Sequence, residues 1–337
     1  MSREIAATAA LAVGALLASH ATDAQSLAAD AHATTIEEIT VIGRYPGPPL
    51  WKVTAGEHTL WIFGELSPAP KGLDWDSRNA ERVLGRADAA IAAPRVSAPT
   101  FNPFKIFRLL RAARRLTRLD KGLTLADVLP PDLYARYSLL RARHAPDDDR
   151  SDSLRPAIAA LRLYGAALDD VSLTTDTNIV REVERLVRRS HAAESEPIVK
   201  TKPELVLDEL GKISPEAELT CFASVLTSIE TDLKAMKERA DAWAVGDVDA
   251  LRRFDYPDSQ GNCLAMLFTA TGLANLRDEL YATWLREAER SLAMYATTFS
   301  VLPMRELVAN DGLLAQLAAR GYTVVAQIGR ASCRERV

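Results

Sequence analysis

LWKVTAGEHTLWIFGELS, residues 50–67, decides the fold of this chain, because it predicts two strands joined by a tight turn and followed by a loop. The turn is predicted at Ala55-Gly56. The second strand, residues 59–63, is rich in aromatic and β-branched side chains, which suit a pleated, half-buried surface. The stretch therefore predicts a hairpin whose second strand is buried.

The loop that leaves this second strand, residues 64–67, is the predicted functional site. The strand ends at Gly64, and two prolines shortly after it keep the exit of the chain open. In α/β proteins the chemistry commonly lies on a mobile loop that a rigid strand positions. Glu65 and Ser67 are therefore candidate site residues.

The composition limits what the chain can do. Its 337 residues, 48% of them hydrophobic, are enough for one large domain or two small ones with a sizeable core. The net charge is −4 and the pI is about 5.8, so nucleic acid is not predicted as a partner. Five histidines and three cysteines leave few ligands for a metal site.

The N-terminal residues 1–24 predict a secretory signal peptide. An apolar run rich in Ala and Leu follows Arg3 and precedes small residues typical of a cleavage site. This run is shorter than the roughly 20 residues of a membrane span; a short anchor or a buried helix is the alternative interpretation. Residues 25–47 predict a flexible arm or a single edge strand. We therefore expect a periplasmic or secreted protein with no transmembrane span after signal cleavage.

The C-terminal residues 328–337, IGRASCRERV, do not continue the pattern that precedes them. They resemble the translation of a sequencing adapter joined to a truncated gene. We therefore predict a non-native tail and leave it out of the fold. An ordinary basic tail is the alternative.

Residues 102–119 predict a basic amphipathic helix. Its apolar stripe consists of Phe104, Ile106, Phe107, Leu109, Leu110, Ala113 and Leu116. Its cationic face consists of Lys105, Arg108, Arg111, Arg114, Arg115 and Arg118. Such a helix can lie on a membrane surface or bind an acidic partner. The preferred interpretation is a solvated face on a packed helix, because basic faces are common on α/β surfaces.

Cys221 and Cys263 are the two cysteines outside the predicted tail. In an oxidising compartment two such cysteines favour a disulfide over two buried thiols. No histidine or third cysteine lies near them in sequence, so they do not predict a zinc site.

Four motifs carry a family resemblance. They are PLWKV at residues 49–53, Trp243 with the Gly-Asp pair that follows it, DGLL at residues 311–314 and GYTV at residues 321–324. Together they resemble the TraB/GumN family, which includes metal-dependent peptidases of the Tiki type. The resemblance covers roughly residues 48–326.

The metal-binding motifs that this resemblance implies are replaced in the chain. Active relatives carry a G-T-x-H loop after the hairpin, an acidic residue after the next strand, an Arg-Asn pair on a late helix and a second histidine near the C-terminus. In this chain the first motif is replaced by Glu65 and Ser67, and the acidic residue by Ala93 and Arg95. Leu280 and Tyr281 stand at the Arg-Asn pair, and Pro303 and Glu306 at the motif of the second histidine. The resemblance thus implies the fold of the family without its metal, and no cofactor is predicted.

These replacements lead to a prediction of function. We expect a non-catalytic, exported protein that binds a peptide, a glycan or an envelope protein, with the candidate site at Glu65, Ser67, Arg305 and Glu306. The alternative is a hydrolase or peptidase in which Glu65 and Glu306 bind a divalent metal or act as acid and base. In the non-catalytic case Arg305 or Arg95 neutralises these carboxylates. A purely structural envelope protein is a third possibility.

The predicted fold is α/β, in one domain over residues 48–327. A mixed sheet forms from the N-terminal hairpin, a short strand at residues 89–93 and the C-terminal strands. Helices cover this sheet, and a helical middle section is inserted between the two ends that form it. The two motif loops, distant in sequence, are therefore expected to share one pocket.

Overall fold

A computed structural model describes residues 47–99, 102–254, 263 and 274–327 of the chain. The predicted signal peptide, all but the last residue of the predicted arm and the predicted tail lie outside the described residues. The domain boundaries drawn from the sequence therefore stay predictions.

The strands are short except where they build the centre of the main sheet. They are β1 Leu50–Ala55, β2 His58–Glu65, β3 Ala69–Pro70, β4 Ala89–Ile91, β5 Arg95–Ser97, β6 Leu173–Thr174, β7 Ala193–Ser195, β8 Ile198–Lys200, β9 Thr297–Pro303 and β10 Thr323–Gln327.

The main sheet has six strands in the order β10-β1-β2-β9-β4-β7. β1 runs antiparallel to β10 and to β2, whereas β2, β9, β4 and β7 run parallel to one another. The hairpin turn falls at Gly56, whose φ of 60° suits glycine. The predicted mixed sheet, formed by the two ends of the chain, is confirmed. Two short pairs, β3 with β6 and β5 with β8, lie outside this sheet.

One strand of the main sheet was not predicted. β7 comes from the helical middle of the chain and extends the sheet beyond β4. The sequence predicts a strand nearby, at residues 197–200, and this segment forms β8, which pairs with β5 instead. β7 is Ala-Glu-Ser, which has neither the β-branched nor the aromatic residues typical of a strand. Its pairing with β4, and not its own sequence, makes it a strand.

Helices cover the sheet and form most of the middle of the chain. Their bounds are α1 Arg78–Leu84, α2 Pro103–Leu116, α3 Leu125–Val128, α4 Pro131–His144, α5 Pro156–Asp170, α6 Asn178–Arg189, α7 Pro203–Leu210, α8 Pro215–Thr231, α9 Leu233–Ala244, α10 Val248–Arg253, α11 Ala274–Met294, α12 Met304–Val308 and α13 Leu313–Ala319.

The sequence also predicts a single long helix over residues 215–244, and this prediction is wrong because Asp232 interrupts the helix. α8 ends at Thr231 and α9 begins at Leu233. The Asp232 carboxylate is buried and faces the Arg239 guanidinium at 3.5 Å. A buried charge needs such a partner, and aspartate competes with the helix for backbone hydrogen bonds. The local pair therefore accounts for the break.

Two hydrophobic cores fill the described part of the chain. The sheet core contains the side chains of β1, β2 and β9 together with those of α9, α11 and α13. The helical core lies mainly among α4, α5 and α8, with Tyr137, Leu163 and Phe222 at its centre. A disulfide between Cys221 and Cys263 lies in the helical core, as the sequence predicts, with a Cα–Cα distance of 4.6 Å.

The basic helix forms where it is predicted, but only part of its apolar stripe packs. α2 contacts α7, and Leu109, Ala113 and Leu116 are half-buried. Phe104 and Phe107 remain 85% and 69% exposed. The preferred interpretation, a solvated basic face on a helix whose apolar stripe is packed, therefore does not hold for the outward half of the stripe.

None of the described helices has both the length and the hydropathy that a bilayer span requires.

Candidate functional site

The candidate site lies where two neighbouring parallel strands end. β2 and β9 run side by side, with Gly64 opposite Leu302 and Glu65 opposite Pro303. Because parallel strands end at the same edge of a sheet, the loop after β2 and α12 after β9 emerge together. The two motif segments that the sequence places in one pocket therefore do start side by side.

A tryptophan on α9 fixes the end of β2. Its indole Nε1, in Trp243, donates a buried hydrogen bond of 2.7 Å to the carbonyl oxygen of Gly64. A Cβ atom at Gly64 would lie 2.9 Å from the Trp51 ring and 3.2 Å from Leu307, and would also overlap the sulfur of Met304. Only glycine leaves room for this packing, and the packing fixes the position of the strand end.

A second tryptophan fixes β9. Trp284 on α11 donates from Nε1 to the hydroxyl of Ser300 at 3.1 Å. That hydroxyl donates in turn to the carbonyl oxygen of Ile91 on β4, at 3.0 Å. Both side chains are buried, so the chain of hydrogen bonds joins α11, β9 and β4 without solvent. The scaffold beneath the site is therefore rigid on both sides.

Glu306 lies on α12, directly after β9, and its side chain is buried. Its Oε1 atom accepts hydrogen bonds from the Tyr281 hydroxyl at 2.7 Å, from Arg277 Nη2 at 3.3 Å and from Arg305 Nε at 3.2 Å. The Arg277 guanidinium also lies 5.5 Å from the centre of the Tyr281 ring. One carboxylate oxygen is thus surrounded by a hydroxyl and two cations.

Tyr281 acts in this group as a permanent donor. Burial and the negative charge of Glu306 both raise the pKa of its hydroxyl. The hydroxyl therefore keeps its proton across the physiological range and donates it to the carboxylate. Arg277 is more than half exposed, so this cluster is buried at Glu306 and open to solvent at Arg277.

Glu65 has a different environment. It is half-buried at the last residue of β2. Burial raises its pKa to about 7, and the negative charge of Glu184 on α6 adds to the effect. A carboxyl group with such a pKa exchanges protons near neutral pH. Glu65 interacts with Glu184 on α6. Glu306 instead contacts side chains of α11 and Arg305.

Ser67 and Arg95 contact residues outside the Glu306 cluster. The Ser67 hydroxyl is exposed and donates to the carbonyl oxygen of Thr175 at 3.3 Å. A carbonyl oxygen does not take a proton from serine, so this contact does not activate a nucleophile. Arg95 pairs with Glu196 on the surface at 2.5 Å. Of the two arginines predicted as alternative neutralising partners, Arg305 is the one that contacts Glu306.

A divalent metal does not fit the side chains at these strand ends. Within the described ranges, no three His, Cys, Asp or Glu side chains come together in a way that suits a metal ion. The position implied for a histidine ligand holds Glu306, whose Oε1 is enclosed by donors and by two positive charges. A metal cation bound at this oxygen would be repelled by the two guanidinium groups. The Glu306 cluster therefore does not replace the metal ligands of the family.

The sequence predicts neither Arg277 as part of this cluster nor Tyr281 as a partner of Glu306. The family resemblance sets Tyr281 at the position of the Arg-Asn pair of active relatives and implies only that this pair is lost. One signal pointed to the cluster: Arg277 and Tyr281 are four residues apart on a helix, so they share one face. Glu184, which acts on Glu65, is 119 residues away and had no such signal.

Comparison with known proteins gives one match. The family model described as the TraB/PrgY/gumN family matches residues 49–326, which is most of the chain. No curated protein and no solved structure shows a significant match.

Proposed function

The chain belongs to the TraB/PrgY/gumN family, and on that premise we propose that it is an exported, non-catalytic binding protein of the cell envelope. Its ligand is a peptide, a glycan or another envelope protein, and it binds at the ends of β2 and β9. The proposal of export is supported by the apolar run and the small residues within positions 1–24.

The observation that carries the proposal is the set of donors and cations around the Oε1 oxygen of Glu306. Catalysis by a metal or by a carboxylate pair needs an oxygen that can accept a cation or a proton. Here Oε1 already accepts one hydroxyl and two guanidinium groups. The two guanidinium groups leave this cluster with one positive charge in excess, and the exposed part of Arg277 offers a cation to an anionic group of a ligand.

The test combines metal content with ligand binding. We would isolate the mature protein without chelators, measure bound metal by elemental analysis and repeat the measurement after adding Zn, Mn and Ca. Peptide and envelope-glycan libraries would then be screened by thermal shift and by mass spectrometry for cleavage. We expect no stoichiometric metal, no cleavage and at least one ligand class that raises Tm.

The test variant is Arg277→Gln in the cluster. Its matched control is Arg286→Gln, which lies further along α11. Loss of the Tm increase in Arg277→Gln alone would support the site. A bound metal equivalent together with peptide cleavage would refute the proposal.

A second function is favoured by one observation, the raised pKa of Glu65. A half-buried carboxyl that titrates near pH 7 can act as a general acid or base in a hydrolase that needs no histidine. Under this alternative, Glu65→Gln abolishes hydrolysis of any substrate found in the screen. Activity that survives both Glu65→Gln and Glu306→Gln would exclude the alternative.

A further inference from the structure

α2 exposes a set of large apolar side chains that a solvated helix normally lacks. Phe104, Phe107 and Leu110 are 85%, 69% and 60% exposed. They recur every three residues, so they lie on the outward half of the helix while Leu109 and Leu116 are half-buried. Apolar groups placed together on a surface usually mark an interaction site.

The same outward side carries the positive charge of the helix. Phe104, Phe107, Arg111 and Arg114 follow one another at spacings of three and four residues, which places them along one side. Residues 102–119 contain six Lys and Arg and no Asp or Glu, although the whole chain has a net charge of −4. This segment therefore carries a net positive charge on a chain that is negative overall.

These arginines differ from those of the other strongly basic helix. On α6, Arg181, Arg185 and Arg188 each lie within 3.6 Å of an acidic oxygen. On α2, Lys105 pairs with Glu204 of α7 on the packed side. Arg111, Arg114 and Arg115 form no ion pair within the ranges that the structure describes, so their charge faces outward uncompensated.

We propose that α2 docks on the surface of an anionic lipid bilayer. The helix would lie parallel to the surface, with its exposed phenylalanines and Leu110 at the level of the acyl chains and its arginines on the phosphates. Such a surface offers negative charge and hydrocarbon at adjacent depths, which matches the neighbouring apolar and cationic side chains. An acidic polymer or protein would satisfy the arginines and leave the phenylalanines in water.

The test is cosedimentation of the mature protein with vesicles of phosphatidylcholine alone or with phosphatidylglycerol added. We expect binding about tenfold tighter to the anionic vesicles, and weaker binding as salt rises. F104S/F107S/L110S and R111Q/R114Q/R115Q are each expected to weaken binding by about fivefold or more. Because these side chains are exposed, Tm should stay at the wild-type value.

Two control variants match these changes elsewhere on the surface. R181Q/R185Q/R188Q removes as many arginines from α6, and Leu139→Ser removes an apolar side chain that is 74% exposed. Both should bind anionic vesicles like the wild type. Equal binding to both kinds of vesicle, or binding unchanged by both α2 variants, would overturn the proposal. Light scattering that shows a dimer dissociated by F104S/F107S/L110S, without vesicle binding, would assign the face to a second copy and overturn it as well.

Discussion

Glu306 stays ordered in a buried position because three donors converge on one of its oxygens. The Tyr281 hydroxyl makes the shortest of these bonds and has the raised pKa of a permanent donor. Hydrogen bonds to a charged group are stronger than those between neutral groups. The Tyr281–Glu306 contact should therefore be the main coupling within the cluster.

A double-mutant cycle measures this coupling. We expect Tyr281→Phe to lower the free energy of unfolding of the wild type by about 1–2 kcal/mol. In the Glu306→Gln background, where the acceptor is neutral, this cost should be smaller by about 0.5–1 kcal/mol. Urea denaturation of the four proteins gives the values. Tyr322→Phe, which changes a tyrosine packed on the sheet core, is the control. An identical cost of Tyr281→Phe in both backgrounds would contradict the coupling.

Glu65 makes the stability of the fold depend on pH. Its pKa is about 7 in the folded chain, above the reference value of 4.5. A carboxyl group with a raised folded pKa stabilises the fold fully below pH 4.5, and this stabilisation is lost as the pH rises through 7. The neutral Glu65→Gln variant should not show this loss.

Glu65→Gln is therefore expected to gain about 1–3 kcal/mol over the wild type between pH 5 and pH 8. Urea denaturation at the two pH values measures the difference. Glu57→Gln in the exposed hairpin turn is the matched control, and should follow the wild-type pH profile. A constant difference between Glu65→Gln and the wild type would show that Glu65 does not titrate in this window.

At the scale of elements, α9 holds the end of β2 through one hydrogen bond. The Trp243 indole reaches the Gly64 carbonyl in a fully buried position, beside the rings of Phe63 and Trp75. A buried carbonyl that loses its donor carries the cost of desolvation. The bond therefore couples the helix to the strand end from which the candidate loop starts.

Trp243→Phe tests this coupling, since it keeps an aromatic ring and removes the donor. We expect a loss of about 2–4 kcal/mol from the missing bond and the smaller ring together. Faster amide exchange at residues 64–67 should accompany it. Trp61→Phe, on a half-buried position of the same strand, should leave that exchange unchanged. Equal exchange in both variants would show that the bond does not hold the strand end.

The elements differ in how far their own sequence predicts them. The hairpin and β9 are predictable because their side chains repeat the apolar pattern of buried strands. β7 depends on its pairing with β4, which a local pattern does not contain. The break at Asp232 depends on the pairing of one buried aspartate with Arg239, which the apolar periodicity does not show. The site divides in the same way. The segments that carry Glu65 and Glu306 follow from the motifs, whereas two of the three donors of Glu306 lie 25 and 29 residues away on α11.

At the scale of the whole molecule, the sheet core and the helical core meet along α9. Met236 near its start packs in the helical core, and Trp243 near its end packs in the sheet core. The disulfide between Cys221 and Cys263 lies on the helical side of this connection. A change that loosens the helical core should therefore also destabilise the candidate site, because α9 packs in both cores.

Removal of the disulfide tests how the two cores depend on each other. The bridge joins residues separated by 42 positions, and a loop of this size predicts a loss of about 2–4 kcal/mol in C221S/C263S. Urea denaturation would be followed by total helix content and by tryptophan fluorescence, because Trp51, Trp243 and Trp284 are buried in the sheet core. Coincident, shifted transitions by both probes are expected, since α9 spans the two cores. A helix transition that shifts while the fluorescence transition does not would show that the cores unfold separately. Cys333→Ser in every variant removes the remaining thiol, so that reductant acts on the bridge alone.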